Sequence, residues 1–335
     1  MIRKSPTFEG SGGADERSVE LEFEDELETF DESGIFTREL THPFYRSNPF
    51  ILSGYRQNFT CCQAMQSACF PHNELGNMWS HLLPAAFYAY MSWHHGTLAW
   101  SLRTEAAQVH IEGGPSVESE AAHTASLGVL ASAHTNMLLY TLCATTVFFL
   151  SAIFHTFSCI SVYMCALLCR LDYAGILVQI TGSSISGFYF VFYCEPDRLA
   201  LHVFLCFCVN LLGFVVTLHS EFQSPKYNAF RATVFSCAAL YALFPMTQVA
   251  LSDGLDVYLA HYTGYVWQLA AYGTGVILYV LHIPERFAPG RFDYLIHSHT
   301  LMHIFVFIAS YIHYATLHDN MEYRLLVGGC PAAAS

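Results

Sequence analysis

Seven segments of about 20 predominantly apolar residues recur along this chain, each the length needed to cross the hydrocarbon core of a bilayer. They run roughly over 79–99, 138–157, 171–193, 199–218, 232–251, 262–281 and 298–316. Inside lipid every backbone N–H and C=O must find its partner within the protein, so segments of this kind fold as helices packed into a bundle. Composition agrees: 53% of the 335 residues are hydrophobic and only 12% are charged, which excludes an ordinary soluble domain. The expected fold is therefore an all-α integral membrane protein, a seven-transmembrane helix bundle. No internal repeat of the transporter kind is visible.

The formal net charge of −13 belongs mostly to one end of the chain. Eleven of the 27 acidic residues fall between Glu9 and Glu32, so 1–40 reads as a solvated, disordered cytoplasmic tail. No basic tract accompanies it, so nucleic acid is not an expected partner. Residues 41–78 read as a linker with a candidate interfacial helix near Cys61 to Phe70. Trp79 marks the headgroup level where the first span begins. A stretch rich in Ala, Gly, Ser and His over 101–134 reads as a mobile loop inside the membrane domain 79–318, and 319–335 as an extracytoplasmic tail. His72 and Glu74 read as an interfacial hydrogen-bonding corner. Cysteines within apolar segments, such as Cys143, Cys165, Cys206 and Cys237, read as small membrane-buried side chains, and no C-x-x-C pair suggests a thiolate metal site. No early apolar run of signal-peptide type follows Met1.

Orientation follows from basic residues near the spans. Arg46, Arg56, Arg170, Lys226, Arg231, Arg286 and Arg291 lie on the N-terminal side, against Arg103, Arg198 and Arg324 on the other. By the positive-inside rule the N-terminus is cytoplasmic and the C-terminus extracytoplasmic.

With that alternation His155 ends the second span, Asp172 begins the third, and His299 and His303 begin the seventh, all at one depth. His299 and His303 are four apart, on one helical face and about 6 Å apart along the axis. Three neutral imidazoles leaving an open fourth position are the donor set of a catalytic zinc, which activates water. An ionised carboxylate within a span is unfavourable by about 2.5–3.5 kcal/mol on insertion scales, so Asp172 is expected to have a function. A general base for the water suits it, and Ser151, one turn before His155, is placed to orient a ligand or the substrate.

The motifs Ser151-Ala-Ile-Phe-His155, Leu171-Asp-Tyr-Ala-Gly175, Gly187-Phe-Tyr-Phe-Val-Phe-Tyr-Cys194, Ile283-Pro-Glu-Arg-Phe287 and Ser298-His-Thr-Leu-Met-His303 resemble, as a set, those of the progestin and adipoQ receptor family, and its adiponectin-receptor branch in particular. The resemblance runs from about Gly54 to Cys330. It implies Zn2+ held by His155, His299 and His303, with Asp172 beside it, and a lipid chain between the helices whose polar end lies near Tyr173, Arg231 and Tyr279. It also implies amide hydrolysis of ceramide-like lipids, with ceramide or free fatty acid as the membrane-lipid partner and an extracellular protein or steroid as a further ligand. Plasma membrane and Golgi or other endomembranes both remain open as the location. The alternative is a non-catalytic scaffold or sensor in which zinc is structural.

Overall fold

The computed structural model describes residues 34–46, 48–112, 117–219, 227–252 and 254–326. The acidic segment before residue 34 and the tail after residue 326 lie outside them. A two-stranded antiparallel ribbon, β1 (Ile35–Phe36) and β2 (Tyr55–Arg56), precedes ten α-helices among the described residues. These are α1 (Cys61–Gln66), α2 (Leu75–Glu112), α3 (Val117–Phe157), α4 (Val162–Val191), α5 (Pro196–Leu218), α6 (Asn228–Leu240), α7 (Leu243–Ser252), α8 (Leu255–His261), α9 (Thr263–Leu281) and α10 (Ser298–Leu326). Six stretches are long and apolar enough to cross a membrane: 122–157, 162–191, 196–218, 233–252, 263–287 and 298–326. The protein is thus an all-α, multi-pass integral membrane bundle. Its flanks carry large apolar side chains such as Phe204, Leu212 and Trp267, each more than 60% exposed, as a surface facing acyl chains requires. The expected first span lies within α2, where Ser80, His81, Ser92, His94 and His95 interrupt the apolar run.

Two expectations change. The predicted loop over 101–134 is largely helical: α2 continues to Glu112 and α3 begins at Val117, and the two pack along each other. Alanine is the strongest helix former, and a paired neighbour supplies what composition could not foretell. The span predicted over 232–251 is met by the apolar stretch 233–252, but as two helices, α6 and α7, and not one. Pro245 lacks the N–H that would reach the Tyr241 carbonyl, and the backbone tightens there into three-residue steps, Ala242 N–H to Ala239 O at 3.3 Å and Phe244 N–H to Tyr241 O at 3.0 Å.

The last helix, α10, touches α2, α3, α4 and α9 and so occupies the middle of the bundle. In a membrane the hydrophobic effect does little to hold helices together, and close approach at small residues and buried hydrogen bonds do more. Gly76 on α2 is such a residue: a Cβ there would stand 2.8 Å from the Thr300 hydroxyl oxygen. Farther along α10, the Tyr140 hydroxyl of α3 donates to the Ser310 carbonyl at 2.6 Å. Arg324, in the last turn, donates to the Phe190 and Val191 carbonyls at 2.9 and 3.0 Å, satisfying the C-terminus of α4. α1 is capped by Thr60 and Gln63 in a reciprocal capping box. Among the described residues ten cysteines are free, and Cys194, just after α4, is disulfide-bonded.

Candidate metal centre

His155 sits in the last turn of α3, and His299 and His303 occupy the first two turns of α10. Their ring centroids lie 5.0, 4.8 and 4.7 Å apart, and one nitrogen from each falls within 4.8 Å of the other two. Tetrahedral zinc with bonds of about 2.0–2.1 Å spaces its donors by about 3.3 Å, so small side-chain rotations close the set.

The hydrogen bonds decide which nitrogens face inward. His155 Nδ1 lies 2.7 Å from Glu74 Oε2; a carboxylate only accepts, so Nδ1 carries the proton. In the neutral ring, the form that binds a metal, the opposite nitrogen Nε2 is then a bare lone pair, and it is buried without a partner. The Ser80 hydroxyl donates to the Asn77 carbonyl at 3.1 Å, so its oxygen is left to accept from His303 Nδ1–H, also at 3.1 Å. His303 Nε2 is thereby freed as well. Inward lone pairs fixed by polar groups on the outer nitrogens are the arrangement metal-binding imidazoles use. The residues present fit a zinc ion.

Asp172, in the third turn of α4, interacts electrostatically with His155 and lies beside Ser151, whose hydroxyl is buried and without a hydrogen-bond partner. The Arg231 guanidinium lies 5.1 Å from the Tyr173 ring centroid, a cation–π contact, and is buried. The Tyr279 ring centroid lies 5.2 Å from that of His299, and Tyr279 is within electrostatic reach of both Arg231 and Asp172. All eight residues singled out in the sequence are therefore neighbours in a single cluster at one end of the bundle. His297, one position before α10, faces away and bonds the Asn73 carbonyl at 3.0 Å.

Several neighbours were not anticipated as part of the site. Besides Glu74, His81 lies flat on His303 at 3.6 Å and 12°. Asn77 donates to Glu74 Oε2 at 2.7 Å and accepts from the Thr300 hydroxyl at 2.7 Å, joining α2 to α10. Arg56, from β2, donates to the His155 carbonyl at 2.5 Å and clamps the end of α3. Burial pushes the Glu74 carboxyl up, but the charge of His155 and His299 when protonated, with the hydrogen bonds from His155 and Asn77, outweighs it and holds the group well below the ordinary carboxylate range. The corner at His72 to Glu74 does form hydrogen bonds, with His72 Nδ1 accepting from the Glu74 N–H at 3.0 Å, but its carboxylate is aimed at the histidines. A signal was present: Glu74, Asn77 and His81 share one face at three- and four-residue spacing.

A helical membrane protein with a buried three-histidine cluster is the class that fold and site define. Over residues 70–314 the sequence matches the family described as haemolysin-III related. It is 28% identical over 288 residues to the adiponectin receptor protein of Drosophila melanogaster, covering 85% of this chain and 59% of that one. It is likewise 28% identical over 292 residues to progestin and adipoQ receptor-like protein 1 of Caenorhabditis elegans, covering 85% and 60%. Heptahelical transmembrane protein 1 of Arabidopsis thaliana is 27% identical over 290 residues, covering 85% and 80%. The chain belongs to the haemolysin-III related family, within its progestin and adipoQ receptor group. It spans about three fifths of the length of the first two relatives.

Proposed function

We propose that the protein is a zinc-binding lipid receptor with seven membrane spans, α2 supplying the first, and that its histidine cluster hydrolyses the amide of ceramide-like lipids. The observation that carries the reading is the convergence of His155, His299 and His303, with a bare buried Nε2 on His155 and Asp172 alongside. Zinc, when bound there, supplies Lewis acidity and lowers the pKa of water. Asp172 takes the proton from the attacking water and delivers it to the amine nitrogen as the C–N bond breaks, giving a free fatty acid and an amine. Ser151, whose hydroxyl is free of other partners, orients the substrate. Tyr173, Arg231 and Tyr279 receive the polar end of the lipid.

The same cluster ties α3 to α10, which also favours the second reading, a structural zinc in a scaffold or sensor. Asp172→Asn separates the two. The amide keeps size and much of the hydrogen bonding but accepts no proton. On the hydrolase reading, release of fatty acid from short-chain ceramide falls about 10²–10⁴-fold with zinc content unchanged. Turnover by Asp172→Asn at the wild-type rate, or none in the wild type above a chelated control, leaves the scaffold as the better account.

The proposed topology has the N-terminus in the cytoplasm. The Cys194 disulfide lies at the end of the bundle away from the histidines, the end this orientation exposes to an oxidising compartment.

A further inference from the structure

Two of the three imidazoles in the cluster are aimed from their outer nitrogens, His155 by Glu74 and His303 by Ser80. His299 has no such partner. Among the described residues its ring makes no hydrogen bond and is flanked by other rings, those of Tyr279, His155 and His303. Its direction is therefore set by where the backbone puts its Cα–Cβ bond and by the packing around it. That backbone belongs to the first turn of α10, where the N–H groups have no partner within the helix and the chain frays unless it is capped.

The cap comes from the motif Ile283-Pro-Glu-Arg-Phe287, for which neither the metal centre nor the lipid contacts account. Its Glu285 lies in a 3₁₀ turn (Glu285–Phe287) between α9 and α10 and is 0% exposed. Oε2 accepts from the Ser298 N–H at 2.8 Å, and Oε1 accepts from the Ser298 hydroxyl and, at 2.8 Å, from Asn48 Nδ2. Ser298 opens α10 and immediately precedes His299. Both polar groups of that residue are thus held by one carboxylate from 13 residues earlier in the chain. Among the described residues no Lys or Arg pairs with Glu285, so its charge is stabilised by these hydrogen bonds and by the positive end of the helix dipole. Asn48 is itself fixed: its Oδ1 accepts from the Phe50 N–H at 3.0 Å, and its carbonyl accepts from the Arg38 guanidinium at 2.6 Å.

We infer that Glu285 is a positioning residue for His299, which it holds through Ser298 as Glu74 and Ser80 hold the other two imidazoles directly. The inference rests on the metal reading of the cluster. Asp293 supplies an internal control. It lies in the same connection and is 1% exposed. Its Oδ2 accepts from the Leu52 N–H at 3.2 Å and the Ser53 hydroxyl at 2.7 Å, so it ties down the same N-terminal segment without a hydrogen bond to α10.

The test measures two quantities on purified full-length protein: zinc affinity, by competition with a fluorescent chelator, and the Tm of the zinc-free form. Glu285→Leu should bind zinc about tenfold more weakly, the lower end of what loss of an outer partner does to a metal site. Glu285→Gln should fall between it and the wild type. One oxygen remains to accept from the Ser298 N–H, but the NH2 then opposes the Asn48 donor. Loaded with Co2+, both variants should show altered d–d bands, because the third imidazole meets the metal at a changed angle. Asp293→Asn should bind zinc as the wild type does, whatever its Tm. Wild-type affinity in Glu285→Gln with a lowered Tm makes Glu285 a stabilising cap only and overturns the inference, as does an equal loss of affinity in Asp293→Asn, which marks a general loosening of the connection. If Glu285→Leu does not fold, Glu285→Gln decides alone. A wild type that binds no zinc removes the metal reading and this inference with it.

Discussion

Replacing Glu74 tests whether the inward lone pair of His155 is held in place from outside the cluster. Glu74 Oε2 accepts from His155 Nδ1 and from Asn77 Nδ2, both at 2.7 Å. In Glu74→Gln an oxygen remains to accept both bonds, but the charge is gone, and charge-assisted bonds are about twice as strong as neutral ones. In Glu74→Ala the acceptor itself is lost, Nδ1–H is left unpaired, and the ring is free to turn or change tautomer. Loss of such outer partners weakens metal sites by about 10–100-fold, or about 1.4–2.7 kcal/mol. We expect Glu74→Gln near the lower figure, Glu74→Ala near the upper, and His155→Ala below both in affinity because it removes a donor outright. Competition against a fluorescent zinc chelator on purified protein gives all three constants. Wild-type affinity in Glu74→Ala, or Glu74→Gln as weak as His155→Ala, would refute the reasoning. A wild-type protein that binds no zinc would instead remove the metal reading itself.

Three further outcomes follow from the same geometry. Elemental analysis should find about one zinc per chain, which His303→Ala should lose and His297→Ala should keep despite losing its bond to the Asn73 carbonyl; equal loss in both sinks the ligand assignment. Asn58-Phe-Thr60 is an N-x-T acceptor that never meets the glycosylation machinery if the N-terminal side is cytoplasmic, so a glycosidase-sensitive shift in mobility abolished by Asn58→Gln would reverse the proposed orientation. Burial, with Arg56 adding to it, drives the His72 imidazole down to about 3. The folded value lies below the unfolded value near 6.5, so the unfolded chain binds the extra proton and stability falls as pH drops from about 6.5 toward 3. His72→Asn, which keeps an acceptor for the Glu74 N–H and cannot titrate, should lessen that acid sensitivity in thermal melts; an unchanged pH dependence refutes it.

The parts of this molecule that could be read from sequence are those with a local pattern. An apolar run of 20 residues is its own signal, and the expected span at 199–218 is met by Pro196–Leu218. His299 and His303 announce a shared face by their spacing alone, while His155 and Asp172 could be added because alternating spans put them at one depth. Glu74 escaped because its partner is 81 residues away and nothing local marks the pair. The helices over 101–112 and 117–134 escaped for a different reason. Their residues carry little apolar periodicity, and what orders them is the flank of a neighbouring helix.

Those two helices give the bundle an arm. α2 has 38 residues and α3 has 41, about 57 and 62 Å at the α-helical rise, against a hydrocarbon core of about 30 Å. Glu74 stands immediately before one and His155 lies near the end of the other, so the two side chains that share a proton at 2.7 Å are at the far ends of a pair of parallel levers. A tilt of the arm about the middle of the membrane displaces its tip one way and this pair the other. Through these two helices the far end of the arm is continuous with the proposed metal donors.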